Sequence, residues 1–325
     1  MFADAGGSLF DVRSDTGSDV IRKVDMDPEG KNVIITGGSS GIGKATAQLL
    51  SEEGANVFII ARNQERNHRA LEEIRGEESH ADQQCGTFCA DVTKYEQVEA
   101  AVAAIVETTG APDILINCAG IVYPGYFEQL PMSTFRQQMD TNYFGTLHTV
   151  KAVLPYLMAQ KRGHVVNVAS MGGVAGAFGY TAYAASKFAV YGFTEALRAE
   201  MKPHGIRVSL VLPPDTDTPQ LREERKIQPL ELKMITGGVK PNGLRSPSEF
   251  IAYWLTKWLL TDNGKPMSPD RVAAAIVKGI HRGDYLIIPD VTLRIVFPLR
   301  GLFIPLGNWA QDQLAAVARR ERGAH

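Results

Sequence analysis

The chain has 325 residues, 44% of them hydrophobic, and a formal net charge of −2. That length and apolar content suffice for a sizeable core, and the near-neutral balance leaves no basic footprint for nucleic acid. Its three cysteines (Cys85, Cys89, Cys118) make no even disulfide framework and lack a second ligand pair, so they are expected as reduced thiols with no metal site.

Residues 1–27 are polar and Gly-rich and are expected as an N-terminal arm. Asp and Arg fall where a signal peptide needs an apolar core, and no stretch reaches the ~18 uninterrupted apolar residues of a spanning helix. From residue 31 onward, short apolar runs alternate with helical patterns. Strands are expected over 31–35, 57–60, 85–89, 114–116, 164–168 and 207–212. Helices are expected over 44–53, 64–75, 95–108, 132–160 and 183–201. Fully apolar strands alternating with helices mean an α/β, three-layer α/β/α arrangement, a parallel sheet covered on both faces. After Pro213 the pattern changes. Residues 213–245 read as a long Pro- and Thr-rich loop, and 250–260 as a markedly apolar, aromatic run. Ser268-Pro269-Asp270 is a helix-start signal for a helix reaching about His281, and 285–288 is a last strand. Residues 291–309 form an apolar, Pro-interrupted tail.

The first strand runs into Thr36-Gly37-Gly38-Ser39-Ser40-Gly41-Ile42-Gly43, and a helix follows. Glycines allow a tight turn and a close backbone approach, and a helix N-terminus offers oriented N–H groups to a pyrophosphate. A dinucleotide site for an unmodified ribose needs an acid about 20 residues on. The second strand ends instead in Ala61-Arg62. A guanidinium suits a 2′-phosphate, with Ser39 and Ser40 as further donors, so NADPH is the expected cofactor. The plainer reading of Arg62 is a solvated surface charge.

Tyr183 and Lys187 are four apart on a helix and share a face. A phenol is a poor acid/base at neutral pH, and a neighbouring ammonium would lower its pKa. Ser170 ends a strand thirteen residues earlier, at the sheet edge where open parallel sheets bind ligands. His148, His164 and His281 each stand alone and are expected to be structural or surface residues, not ligands or bases.

Over about residues 28–220 the chain resembles the short-chain dehydrogenase/reductase family. The matching pieces are the Gly37 turn, Asp91-Val92, Asn117-Cys118-Ala119-Gly120, Asn142, Ser170 and Tyr183-Ala-Ala-Ser-Lys187. The resemblance implies a Rossmann-type doubly wound parallel sheet with an apolar C-terminal extension. Residues 28–325 are then a single catalytic domain with a substrate lid at 213–266 and an apolar tail at 291–325. It further implies that Asp91 and Val92 border the adenine. Asn117, Ala119 and Gly120 would support the central strand and line the cofactor cleft. Asn142 would hold a water in a relay with Lys187, which would also bind the nicotinamide ribose. Pro213 to Pro219 would contact the nicotinamide, with Pro213 and Thr216 in the site and Thr218 on its carboxamide. The family commonly pairs subunits through its long helices, so a homodimer or homotetramer is expected. Cys118 stands where the family often has a second Asn, a departure expected to be harmless.

The run from Pro213 to Pro219, with Pro229-Leu230-Glu231, resembles a narrower branch of that family, the 3-ketodihydrosphingosine reductases. The resemblance implies NADPH-dependent reduction of the 3-ketosphinganine ketone to sphinganine. Asp215 and Asp217 then either face the substrate ammonium or cap a turn. The segments 250–260 and 291–309 either form an apolar entrance, dip into a bilayer surface with Arg294 and Arg300 at head-group level, or pack against the body or a partner subunit. The expected partner is a lipid ketone, and the expected place is cytoplasmic or peripheral on a membrane (the cytosolic face of the endoplasmic reticulum in a eukaryote). Two other readings stay open: a reductase of another lipophilic carbonyl (steroid, retinoid or 3-oxoacyl thioester), and a non-catalytic NADPH-binding sensor or scaffold.

Overall fold

The computed structural model describes residues 26–236, 240–241, 244–260 and 265–323. Seven strands form one sheet: β1 (Asn32–Thr36), β2 (Asn56–Ala61), β3 (Cys85–Cys89), β4 (Ile114–Asn117), β5 (Gly163–Val168), β6 (Ile206–Val211) and β7 (Leu286–Ile287). Their order is β3-β2-β1-β4-β5-β6-β7, and every pairing is parallel. This is the doubly wound sheet that the apolar alternation predicts.

Successive strand side chains point to opposite faces, so each buried strand feeds two cores. Val33 and Ile35 of β1, Val57 and Ile59 of β2, and Ile114 and Ile116 of β4 join one core. That core is closed by α1 (Gly41–Glu52), α2 (Gln64–Arg75) and α10 (Pro269–Arg282). Ile34, Phe58, Ile60 and Leu115 point the other way. They meet α3 (Tyr95–Thr109), α5 (Gly145–Gln160) and α6 (Thr181–Met201). A short α4 (Met132–Met139) leads into α5 through a π-helical turn at Asp140–Phe144.

The strand order reverses between β1 and β4, which opens a crevice at their C-terminal ends. Gly37 makes the crossing tight: its φ is +69°, and a Cβ there would lie 2.8 Å from the Ala119 backbone nitrogen.

One expectation changes beyond Pro213. The stretch read as a loop holds two helices, α7 (Pro219–Ile227) and α8 (Leu230–Ile235). Thr218 caps α7, accepting a hydrogen bond from the Leu221 N–H at 3.2 Å, and Pro219 sits in the first turn. A cap followed by Pro is a helix start, masked here by the surrounding prolines and threonines. The apolar tail is helical: α11 (Val291–Val296), a 3₁₀ turn and α12 (Arg300–Gly323), which runs through Pro305. Ala310, Leu314, Val317 and Ala318 of α12 bury against α8 and α9 (Pro247–Leu260). That gain outweighs the one helical bond that Pro305 removes. The arm expected over 1–27 lies outside the described residues except for Met26 and Asp27, and Met26 packs onto the core. Parts of the expected lid (237–239, 242–243 and 261–264) also lie outside them.

Candidate active site

A cleft of ≈ 780 Å³ runs along the C-terminal edge of the sheet. At one end it meets the turn from Gly37 to Gly43. Gly41 has φ +55°, and a Cβ on Gly43 would lie 2.6 Å from the Gly37 carbonyl oxygen, so the turn closes tightly on the first turn of α1. Ser40 is the N-cap of α1, yet its side chain makes no capping bond and the first turn carries no acid. The unpaired N–H groups of that turn, with Ser39, Ser40 and Ile42 beside them, therefore suit an anion. Arg62 follows β2, lines the cleft, and its guanidinium has no hydrogen bond or ion pair among the described residues. Arg66 lines the same end, one turn into α2. The residue pattern did not single out Arg66.

The pieces singled out by resemblance divide. Val92, Ala119 and Gly120 line the cleft. Asp91 does not: its carboxylate accepts from the Thr93 N–H at 3.0 Å and closes a local turn. Asn117 is 2% exposed and also stays outside the cleft. It ties strands together, donating to Asn167 Oδ1 at 2.8 Å and accepting from Thr149 Oγ1 at 2.5 Å. Asn142 sits in the π-turn, fully buried. Its amide donates to the Ile121 carbonyl and Ser186 Oγ, and its Oδ1 accepts from the Ile121 N–H. It thus latches the loop after β4 onto α6. A Cβ on Gly120 would lie 3.2 Å from Asn142 Oδ1 and 3.4 Å from Lys187 Nζ, so Gly120 leaves room where those two groups converge.

Ser170, Tyr183 and Lys187 all line the middle of the cleft. Ser170 Oγ accepts from the Gly172 N–H at 3.1 Å. Lys187 Nζ donates to the Val168 carbonyl at 3.0 Å and lies 6.0 Å from the Tyr183 ring centroid. Burial lowers the Lys187 pKa to about 8. Burial pushes the Tyr183 phenol up; a hydrogen bond with Ser170 pulls it down, and the charges of Glu224 and Asp215 raise it further. Desolvation is the largest of these influences, and Lys187, which gives one of its three N–H donors to Val168, keeps its ammonium 6.0 Å from the Tyr183 ring. Tyr183 stands protonated at neutral pH. Cys118, also in the cleft wall, is held neutral, its thiol pushed up to about 12 by burial.

The far wall comes from the segment after β6 and from the tail. Pro213, Thr216 and Thr218 line the cleft. Thr216 Oγ1 donates to the Pro214 carbonyl at 2.9 Å, and the Thr218 methyl packs against Gly41, so the segment leans on the Gly-rich turn. The two acids separate. Asp215 lines the cleft, whereas Asp217 stays outside it and pairs with Arg222 at 3.0 Å. Tyr180 and Glu224, unremarked in the sequence, complete this wall. Leu293, Phe297, Arg300 and Ile304 form its lip. Residues 250–255 of the apolar run 250–260 do not line the cleft: Ala252 and Tyr253 pack against α12, while Phe250, Ile251 and Trp254 are exposed. The histidines are structural as expected, with His148 on the Val92 carbonyl, His164 on Ser209 and His281 on Glu53.

Comparison with known proteins adds three similarities. Residues 31–229 match the sequence profile of the short chain dehydrogenase family. A 3-dehydrosphinganine reductase of Danio rerio is 39% identical over 221 residues, 68% of this chain and 66% of that protein. A 3-ketodihydrosphingosine reductase of Bacteroides thetaiotaomicron is 40% identical over 288 residues, 89% of this chain and 96% of that protein. The chain thus spans just under two thirds of the Danio rerio protein but nearly all of the bacterial one. Among solved structures, an actinorhodin polyketide ketoreductase variant with NADPH superposes with a TM-score of 0.67 at 28% identity, covering 80% of this chain and 95% of that one.

Proposed function

Since the chain belongs to the short chain dehydrogenase family, we propose that it is an NADPH-dependent reductase that converts the ketone of 3-ketodihydrosphingosine to the alcohol of dihydrosphingosine. The observation that carries this reading is Tyr183 beside Ser170 and Lys187 in a cleft that joins the Gly-rich turn to an apolar lip. The names of the Danio rerio and Bacteroides thetaiotaomicron relatives support the substrate.

The residues present fit the cofactor. The acid-free N-terminus of α1, with an N-cap serine whose hydroxyl is not used for capping, suits a pyrophosphate, and Arg62 with Arg66 suits a 2′-phosphate. When bound, NADPH supplies the hydride. Ser170 orients the ketone oxygen by hydrogen bonding, and Tyr183 delivers its phenolic proton to that oxygen. Lys187, charged below about pH 8, then steadies the phenolate left behind. Asn142 acts at one remove, holding the loop that carries Gly120 against the helix that carries Tyr183 and Lys187.

A lipid ketone must reach this cleft. Val291, Ile295, Leu299, Leu302 and Leu306 are exposed on α11, α12 and the turn between them, next to the lip residues Phe297 and Ile304. Such a patch suits a peripheral seat on a lipid surface facing the cytosol. No helix among the described residues is long and apolar enough to cross a membrane. Phe144, Met158 and Phe188 leave separate apolar surface on and beside the long helices α5 and α6, which supports a homodimer through them. The deciding assay is oxidation of NADPH with 3-ketosphinganine, with NADH as control. Turnover that depends on NADPH is expected. Turnover only of a steroid, retinoid or 3-oxoacyl thioester would reassign the substrate, and NADPH binding without any turnover would leave a sensor.

A further inference from the structure

The cleft holds a polar group that the proton chemistry above leaves unused. Glu224, on α7, is 7% exposed and lines the cleft beside Tyr183. Its Oε1 accepts from the Tyr180 hydroxyl and, at 2.8 Å, from Gln228 Nε2. Its Oε2 has no hydrogen bond among the described residues. Asp215 faces the same space. Its Oδ2 is closed off from water, accepts no hydrogen bond, and lies 3.8 Å from Arg225, which stands outside the cleft. Other nearby charges are committed elsewhere: Glu223 to Lys226 at 2.6 Å, and Lys187 to the Val168 carbonyl. Of the cations at this wall, Arg225 lies behind it, and Arg300 on the lip donates to the Phe297 carbonyl at 3.4 Å and lies over the Phe297 ring. Glu224 is buried and Asp215 keeps 31% of its side chain exposed, and a carboxylate taken out of water without full partners is costly, a cost offset when a cation arrives as ligand.

We propose that Asp215 and Glu224 receive the ammonium of the substrate and so select ketones that carry a primary amine beside the carbonyl. The proposal rests on the reductase reading and adds to it the two residues that set its specificity. Burial raises both carboxyl pKa values, so an ammonium between them would hold both ionised. Selection would also reach the chemistry. Both carboxylates oppose ionisation of Tyr183, and an ammonium that neutralises them eases formation of the phenolate. A ketone without the amine leaves that opposition in place.

The test compares 3-ketosphinganine with 1-hydroxyoctadecan-3-one, which lacks only the amine, in the wild-type protein and in Glu224→Gln and Asp215→Asn. Binding of sphinganine against octadecane-1,3-diol to the protein with NADP⁺ present is measured alongside. The wild-type protein is expected to favour the amine by about 10- to 100-fold in kcat/KM and in affinity, the range for a hydrogen bond to a charged group. Both ratios are expected to fall towards one in each variant. Each ratio is taken within one preparation, so loss of folded protein does not move it. A wild-type protein indifferent to the amine, or variants that keep the full ratio, would overturn the proposal. If the wild-type protein reduces neither ketone, the reductase reading fails on its own, and the binding ratios still decide whether these carboxylates recognise an amine.

Discussion

Tyr183 is a phenol, protonated at neutral pH, and desolvation, which outweighs the hydrogen bond with Ser170, pushes its pKa further up. That state suits reduction, in which the phenol must give a proton rather than take one. Tyr183→Phe is expected to cut turnover about 10²- to 10⁴-fold, the usual share of a general acid, while NADPH still binds; fluorescence titration with NADPH beside the rate assay checks both halves. Lys187 predicts the pH behaviour. Its pKa is depressed to about 8, so the ammonium is present below that value and lost above it. The kcat/KM of the free enzyme should therefore decline as pH rises through about 8, and a flat profile to pH 9.5 would contradict the role given to the ammonium. The same depression means that the buried charge costs stability below about pH 8, a cost relieved as pH rises towards the unfolded value of 10.5.

Ser40 and Ser268 are both N-cap serines, and their geometry separates structural work from binding. Ser268 Oγ accepts from the Arg271 N–H at 3.3 Å and caps α10, whereas Ser40 at α1 makes no such bond. Ser268→Ala is expected to cost about 1 kcal/mol of stability, measured by urea unfolding. Ser40→Ala should leave the unfolding curve in place and raise the KM for NADPH roughly tenfold, as loss of a hydrogen bond to a charged phosphate would. If Ser40→Ala destabilises and leaves the KM alone, the serine is a cap after all. The capping, period and apolar content of most of these elements are visible residue by residue, and the strands over 32–36, 56–61 and 85–89 were legible to within a residue. The helices of the 213–245 stretch were not. Their apolar residues, Leu221, Leu232, Met234 and Ile235, are buried only because α9, α12 and the cleft wall come from far along the chain.

At the scale of the whole molecule, the sheet places the anion-binding turn and Tyr183 on one edge, and the C-terminal helices add an apolar rim to it. Exposed Ile295 and Leu302 lie on that rim's outer side, at 67% and 75% exposure. Replacing both with Asp should release the protein from anionic phospholipid vesicles in a co-sedimentation assay. Each large aliphatic side chain buried in the bilayer contributes about 1.5–3 kcal/mol, so a loss of tenfold or more in the bound fraction is expected. Unchanged sedimentation of the double variant would remove this face from membrane contact.

The sequence by itself determined the doubly wound sheet, the Gly37 turn, the pairing of Tyr183 with Lys187 and the cationic residue after β2. All of these rest on local periodicity or short spacing, where neighbours in sequence are neighbours in space. Only the tertiary structure decided which groups share the cleft. It set Asp215 in the wall and Asp217 outside it, although only Thr216 parts them, because Asp217 turns to pair with Arg222 on α7. It brought Glu224 to Tyr180 across 44 residues and the tail helices to the rim. It also buried Tyr183 and so raised its pKa, since desolvation depends on everything packed around a group and no single stretch of chain encodes it.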